Sequence, residues 1–279
     1  MVKTRLNPRS PTPPVDPHAI VQAVHGGEIL ILGATAPSLG MVRHAHGLLV
    51  GLLGQAPEQR VHPFARVAEA RRVLEADPTL ARLAAETLVS LGFPDESRLD
   101  LPRLRVVPHG AEKDPAAAAV FLPHRDTWYG CPQAQINAWL PLHDLPLAQS
   151  FAFYPTCFDA AVPNSSAGFE YGAWMQQVGW HGDAPVGAYA QELSGAPNAP
   201  EVRFSAQSGD VLLFAGHHLH QTRPNPLPGT TRFSLDFRWV APWGGAPPRV
   251  DDHSRGADIR LASEFRPISL VRQEFGGPG

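Results

Sequence analysis

Cysteine is scarce. Cys131 and Cys157 are the only two in 279 residues, too few for a disulfide framework, so a reducing, cytoplasmic setting is expected. No stretch approaches the roughly 20 continuous apolar residues of a membrane-spanning helix. Charge of one sign is not concentrated either. The net charge is −3 with no long basic run, which argues against nucleic acid as a partner. Residues 1–17 are rich in Pro and polar groups and lack the apolar core of a secretion signal, so a flexible N-terminal arm is expected there. No internal repeat is visible.

Hydrophobic residues, by contrast, make up 43% of the chain, which excludes disorder as its main state. Thirty prolines and 25 glycines predict many turns and short elements. The length suits a single domain over 18–279: a helical flank (18–100), a β-rich core (about 101–240) and a C-terminal extension (241–279).

Within the flank, Glu28 to Leu32 reads as a buried strand and Ala36 to Leu53 has helical spacing. In Pro63 to Ala76, Phe64, Val67, Ala70 and Leu74 share one helical face. Pro78 opens a further helix whose stripe of Leu80, Leu83, Thr87, Leu88 and Leu91 stops at Gly92. These helices are expected to support a sheet and to carry no chemistry. After residue 100, short β-like runs at 104–107, 134–140, 150–154, 211–214 and 232–240 suggest a sandwich or barrel. The long insertion over 159–200, with Phe169, Tyr171, Trp174 and Trp180, is expected to be a lid or binding loop. The tail beyond Pro242 is expected to be irregular.

Chemistry centres on Pro123-His124-Arg125-Asp126-Thr127-Trp128. On an extended backbone residues i and i+2 point the same way, so His124 and Asp126 converge on one point. Two such groups leave a divalent metal underbound, and the stretch from Gly209 to His220 supplies a third ligand. Two histidines and one carboxylate on one side of a metal are the pattern of non-haem iron oxygenases. His217 alternates to the other face, while His218 shares a face with His220, so either of these two could be the ligand or its neighbour. A second H-x-D at His181-Gly182-Asp183 sits in the insertion and is set aside.

Two strands alternate in an unusual way. Gln133, Gln135, Asn137 and Trp139 share one face, opposite Ala134, Ile136, Ala138 and Leu140. Arg232, Ser234, Asp236 and Arg238 share another, opposite Phe233, Leu235, Phe237 and Trp239. Such a polar face borders solvent or turns inward to hold a charged ligand. Arg232 follows His220 by twelve residues, one hairpin's length, which favours the second reading. Its planar guanidinium suits a carboxylate and stays charged when desolvated.

The ordered set His124-x-Asp126, His220, Arg232-x-Ser234 resembles the iron(II)- and 2-oxoglutarate-dependent oxygenases, in particular their phytanoyl-CoA dioxygenase-like branch. Gly209 to Phe214, Pro224-Asn225 and Asn137-x-Trp139 add to the likeness, which covers roughly residues 100–240. The resemblance implies an α+β fold: a double-stranded β-helix (jelly-roll, cupin-like barrel) with flanking N-terminal helices. It makes His124, Asp126 and His220 the Fe(2+) ligands and Arg232, assisted by Ser234, the grip on 2-oxoglutarate. Asn137, Trp139 and Gln135 would line that cosubstrate pocket. It implies hydroxylation of a small molecule by O2 with release of succinate and CO2; the composition rich in Ala, Pro, Arg and Gly, with no acyl-carrier or coenzyme A signature, points to a tailoring role in specialised metabolism. Arg125, Trp128, Tyr129, Phe153, Tyr171 and Trp174 are the candidate substrate contacts. A cupin-type metalloenzyme without 2-oxoglutarate, or a non-catalytic barrel, are the alternatives.

Overall fold

The computed structural model describes residues 6–10, 16–179, 188–194 and 198–275. Helix α1 (Pro17–His25) begins where the Asp16 carboxylate accepts from His18 N, with Pro17 at the position that needs no donor. After β2 (Ile29–Leu32), α2 (Ala36–Leu53) opens on a capping box in which Thr35 and Ser38 bond each other's backbone. Helix α3 (Phe64–Glu75) and α4 (Pro78–Ser90) follow, the latter capped by Asp77 accepting from Leu80 N.

Beyond them come β3 (Arg98–Leu99), β4 (Arg103–Pro108), β5 (Ile136–Pro141), β6 (Ala152–Phe153), α5 (Tyr171–Gln177), β7 (Val211–Ala215), β8 (His220–Gln221) and β9 (Thr231–Val240). The large sheet has eight strands: β1 (Leu6–Ser10), β2, β7, β5, β9, β3 and β10 (Arg266–Pro267) in order, with β4 also on β9. All its pairs are antiparallel except β1 with β2. Strands β6 and β8 form a small second sheet.

Register divides the large sheet into two faces. Leu30 pairs with Leu213, Leu213 with Ala138, and Ala138 with Phe237; this row packs under α2, α3 and α4 as the main core. On the opposite face Leu212 pairs with Trp139 and Trp139 with Asp236, while Asn137 faces Arg238 and Arg105 faces Ser234. Here lies a second, aromatic core of Trp139, Phe151, Phe153, Phe204 and Phe214.

Two expectations are corrected. The arm is not loose throughout, because Leu6–Ser10 hydrogen-bonds to the edge of β2. The tail is not irregular, because α6 (Ala257–Glu264) and α7 (Ile268–Phe275) form in it, with Ile268 and Val271 entering the main core. Among the described residues no helix is long and apolar enough to cross a membrane.

Candidate metal centre

His124 and His220 face each other across a backbone bridge: His124 N donates to His220 O at 2.9 Å and His220 N to His124 O at 3.0 Å. Arg125 between the first two candidate ligands is extended (φ −106°, ψ 138°), and Asp126 then opens a short 3-10 turn. The side chains of His124 and Asp126 therefore emerge on the side of His220. His124 Nε2 lies 3.6 Å from Asp126 Oδ1, and His220 Nε2 lies 3.9 Å from the same oxygen. The three ligating atoms fall within 4.8 Å of one another, the one group of three such residues among those described.

Proton positions follow from the outer partners. His124 Nδ1 lies 2.9 Å from Leu122 O and His220 Nδ1 lies 3.0 Å from His218 O. A carbonyl only accepts, so each Nδ1 carries a proton and Nε2 is the nitrogen turned toward Asp126. Two imidazole Nε2 atoms and a carboxylate oxygen thus meet at one point. Burial, then the neighbouring His124, depresses His220 to about 4, so its ring is neutral at physiological pH. Burial alone would raise Asp126, but His124, His220 and Arg238 outweigh it and hold the carboxyl well below the usual carboxylate range.

The other carboxylate oxygen is taken. Asn137 Nδ2 donates to Asp126 Oδ2 at 2.6 Å and Gln135 Nε2 at 3.2 Å, while Gln135 also bonds Asn137 Oδ1 at 2.9 Å. Gln135 and Asn137, expected to line a cosubstrate pocket, both hold the Asp126 carboxylate. Gly216 makes room for this: a Cβ there would sit 3.2 Å from Gln135 Nε2 and 3.5 Å from Asp126 Cβ.

Arg232 behaves unlike the other buried arginines. Arg125, Arg238 and Arg260 each bond an acid: Asp251, Asp100 and Glu264. Arg232, 3% exposed, donates from Nη1 to Gln149 O at 2.8 Å, and its Nε has no partner among the described residues. Burial, then repulsion from Arg203, pulls it down to about 10, still charged at neutral pH. Ser234 Oγ, on the same strand face, is also buried without a partner. Trp139 stands edge-on to Phe151 and Phe204, in the aromatic core.

The neighbouring histidines do not compete. His217 Nε2 bonds Phe158 O at 2.9 Å, and His218 Nε2 bonds Gly27 O at 3.2 Å while its Nδ1 accepts from Ala215 N at 3.1 Å. His181 and Asp183, like Trp180, lie outside the described residues.

Most candidate substrate contacts are buried among partners of the chain's own. Arg125 and Trp128 are wholly buried, and Asp251 accepts from both. Phe153 packs behind His220 and His218. Tyr171 is buried with its hydroxyl on Glu264, and Trp174 is buried beside it. Tyr129 is half-buried, its ring 5.3 Å from that of His124 and flanked by Phe169 and Tyr189. Sequence reading missed Asp251 and Ser254. The available signal was chemical: an arginine between two candidate ligands needs an acid once buried, and Asp251-Asp252 is an acidic pair in the tail.

Neither a protein-family model nor a curated protein matches the chain. Among solved structures, apo HygX from Streptomyces hygroscopicus is 16% identical over 89% of this chain and 94% of its own, with a TM-score of 0.47. The epimerase SnoN in complex with Fe3+, alpha ketoglutarate and nogalamycin RO is 18% identical over 86% and 97%, at 0.44. EctD from S. alaskensis with bound Fe is 14% identical over 88% and 90%, at 0.43. Likenesses this distant carry no argument about activity.

Proposed function

We propose that this chain is a non-haem iron(II)- and 2-oxoglutarate-dependent oxygenase, of the phytanoyl-CoA dioxygenase-like kind, that hydroxylates a small-molecule natural product. The observation that carries the reading is the meeting of His124 Nε2, Asp126 Oδ1 and His220 Nε2 within 4.8 Å of one another. Two neutral imidazoles and a carboxylate suit ferrous iron and leave three of six positions open. The reading takes residues 18–279 as one cytoplasmic oxygenase domain, with the two sheets as halves of a double-stranded β-helix and 159–200 as its lid.

His124, Asp126 and His220 would hold the metal, and the amides of Gln135 and Asn137 keep Asp126 turned so that only Oδ1 faces it. When bound, the iron supplies activation of O2 coupled to decarboxylation of 2-oxoglutarate to succinate and CO2. The buried guanidinium of Arg232 would grip the far carboxylate of that cosubstrate, with the Ser234 hydroxyl beside it; a dianion supplies the charge that Arg232 lacks. Tyr129 would border the substrate near His124. Asp126 fills the coordination place that a halide would need, which favours hydroxylation over halogenation.

Anaerobic titration of the protein with ferrous iron and then 2-oxoglutarate tests the reading. A visible charge-transfer band is expected, lost in His124→Ala and in Arg232→Met at limiting 2-oxoglutarate. A band that never forms would sink the assignment. Iron-dependent turnover indifferent to Arg232→Met would leave a metalloenzyme that uses no 2-oxoglutarate.

A further inference from the structure

The C-terminal segment meets the H-x-D motif at one carboxylate. Asp251 is 4% exposed and has three donors: Arg125 Nε at 3.1 Å and Val162 N at 2.9 Å on Oδ2, and Trp128 Nε1 at 2.9 Å on Oδ1. Arg125 lies between two of the candidate ligands, and Trp128 lies in the turn that Asp126 opens. Arg125 also donates to the backbone oxygens of His217, Cys157 and Ala160. It therefore ties the His124–Asp126 segment to the stretch that ends at His220. Among the groups it bonds, Asp251 is the only anion.

Other contacts of the tail fall on the same loop. Ser254 Oγ donates to Thr127 O at 2.9 Å and accepts from Gly130 N at 3.2 Å. Gly130 has φ +66°, and a Cβ there would stand 3.0 Å from Arg255 O, so the tail presses against the backbone just after the motif. We propose that Asp251 is a positioning residue for the metal centre: through Arg125 and Trp128 its carboxylate holds the two ligand-bearing segments at the separation a divalent ion requires. This rests on the reading of His124, Asp126 and His220 as metal ligands.

The physical reason is charge and geometry together. A buried guanidinium whose acid is removed has only neutral carbonyls left and shifts toward water. Any such shift turns the backbone on both sides of Arg125, where His124 and Asp126 stand. In Asp251→Asn, at least one of the three donors would also face an amide NH2.

The test uses Co(II) alone, titrated into the full chain by calorimetry and by its visible ligand-field bands, with thermal melts of the metal-free protein alongside. Asp251→Asn is expected to weaken Co(II) binding by about tenfold or more and to alter the bands, as loss of outer support for a metal ligand does. Trp128→Phe, which removes one of the three donors, should weaken binding less. Met41→Ala, in the helix-covered core, should lower the melting temperature without moving Co(II) affinity. Unchanged affinity and bands in Asp251→Asn would overturn the proposal, as would an equal loss in Met41→Ala. If Asp251→Asn does not fold, Trp128→Phe decides: weakened binding supports the proposal and unchanged binding overturns it. Failure of His124→Ala to weaken Co(II) would instead remove the metal reading, and this inference with it.

Discussion

The two faces of the large sheet are made by alternate residues of the same strands, yet they are built to different ends. On one, Leu213, Ala138, Leu235 and Phe237 close against the apolar faces of α2, α3 and α4. On the other, the same strands present Asn137, Arg232, Ser234, Asp236 and Arg238. Part of this polar row is matched internally: Asp236 holds Arg105, and Asp100 holds Arg238. Part is not: Arg232 Nε and Ser234 Oγ have no partner among the described residues. A buried polar group left uncompensated costs stability, so this pair marks where a ligand would supply what the chain does not.

Replacing His220 with Ala attacks that face most directly. Co(II) or Fe(II) affinity should fall by about 100-fold or more, with no succinate release, while the melting temperature of the metal-free protein stays close to that of the parent. Phe237→Ala attacks the closed face. It should cost about 3–5 kcal/mol of stability, read by urea melts, and leave metal affinity unchanged in the folded protein. If either variant shifts both measurements equally, the faces are not functionally separate.

Arg232→Met sharpens the contrast, because it should act in opposite directions on two measurements. The metal-free protein loses a buried, unbalanced charge and should gain stability, on the order of 1–4 kcal/mol. Binding of 2-oxoglutarate to the metal-loaded protein should weaken by about 2–4 kcal/mol, read as the 2-oxoglutarate dependence of the visible band. A destabilised Arg232→Met would mean that the guanidinium is already compensated.

Acid should tell the faces apart next. Burial holds His217 at about 4 and His218 at about 3, below the ordinary value of 6.5. Both rings stay neutral in the fold and take up protons on unfolding. The stability they lend is complete above pH 6.5 and is lost as the pH falls from there toward 4. Each contributes up to about 1.4 kcal/mol per pH unit over that window. Urea melts at pH 7, 6 and 5 should show the slope, and His217→Gln should remove about one proton's worth of it.

The closed face was legible because local periodicity encodes it: the 3.6-residue stripes of α3 and α4 and the alternation of β5 and β9 follow from neighbours in sequence. The His124-x-Asp126 pair was legible for the same reason, since H-x-D on extended chain needs no distant information, whereas the choice of His220 came from the resemblance. What escaped reading depends on residues far apart. Arg125, Trp128, Tyr171 and Trp174 read as substrate contacts, yet the first two are buried by Asp251, more than 120 positions away, and Tyr171 by Glu264. Helices α6 and α7 are eight residues each, too short for a stripe to stand out. Gln135 and Asn137 lay on the predicted face, but no local pattern says whether an amide there meets a cosubstrate or a ligand carboxylate.

A pair of glycines offers the finest division between the two faces. Gly47 lies exposed in the interior of α2 with nothing within 4 Å of where a Cβ would go. Gly47→Ala should therefore stabilise the protein by up to about 1 kcal/mol through helix propensity, and should not touch metal binding. At Gly216 the same methyl would press on the Gln135 amide at 3.2 Å and on Asp126 Cβ at 3.5 Å. The amide can yield by a few tenths of an ångström, but its bond to Asp126 Oδ2 is already 3.2 Å long and breaks first, while the 2.6 Å bond from Asn137 survives. One hydrogen bond to a charged carboxylate is worth about 1.5–3 kcal/mol net, so Gly216→Ala should weaken Co(II) binding by about tenfold or more. Should Gly216→Ala bind Co(II) as the parent does, with the same bands, Gln135 has no part in turning Asp126 toward the histidines, and that orientation rests on Asn137 alone.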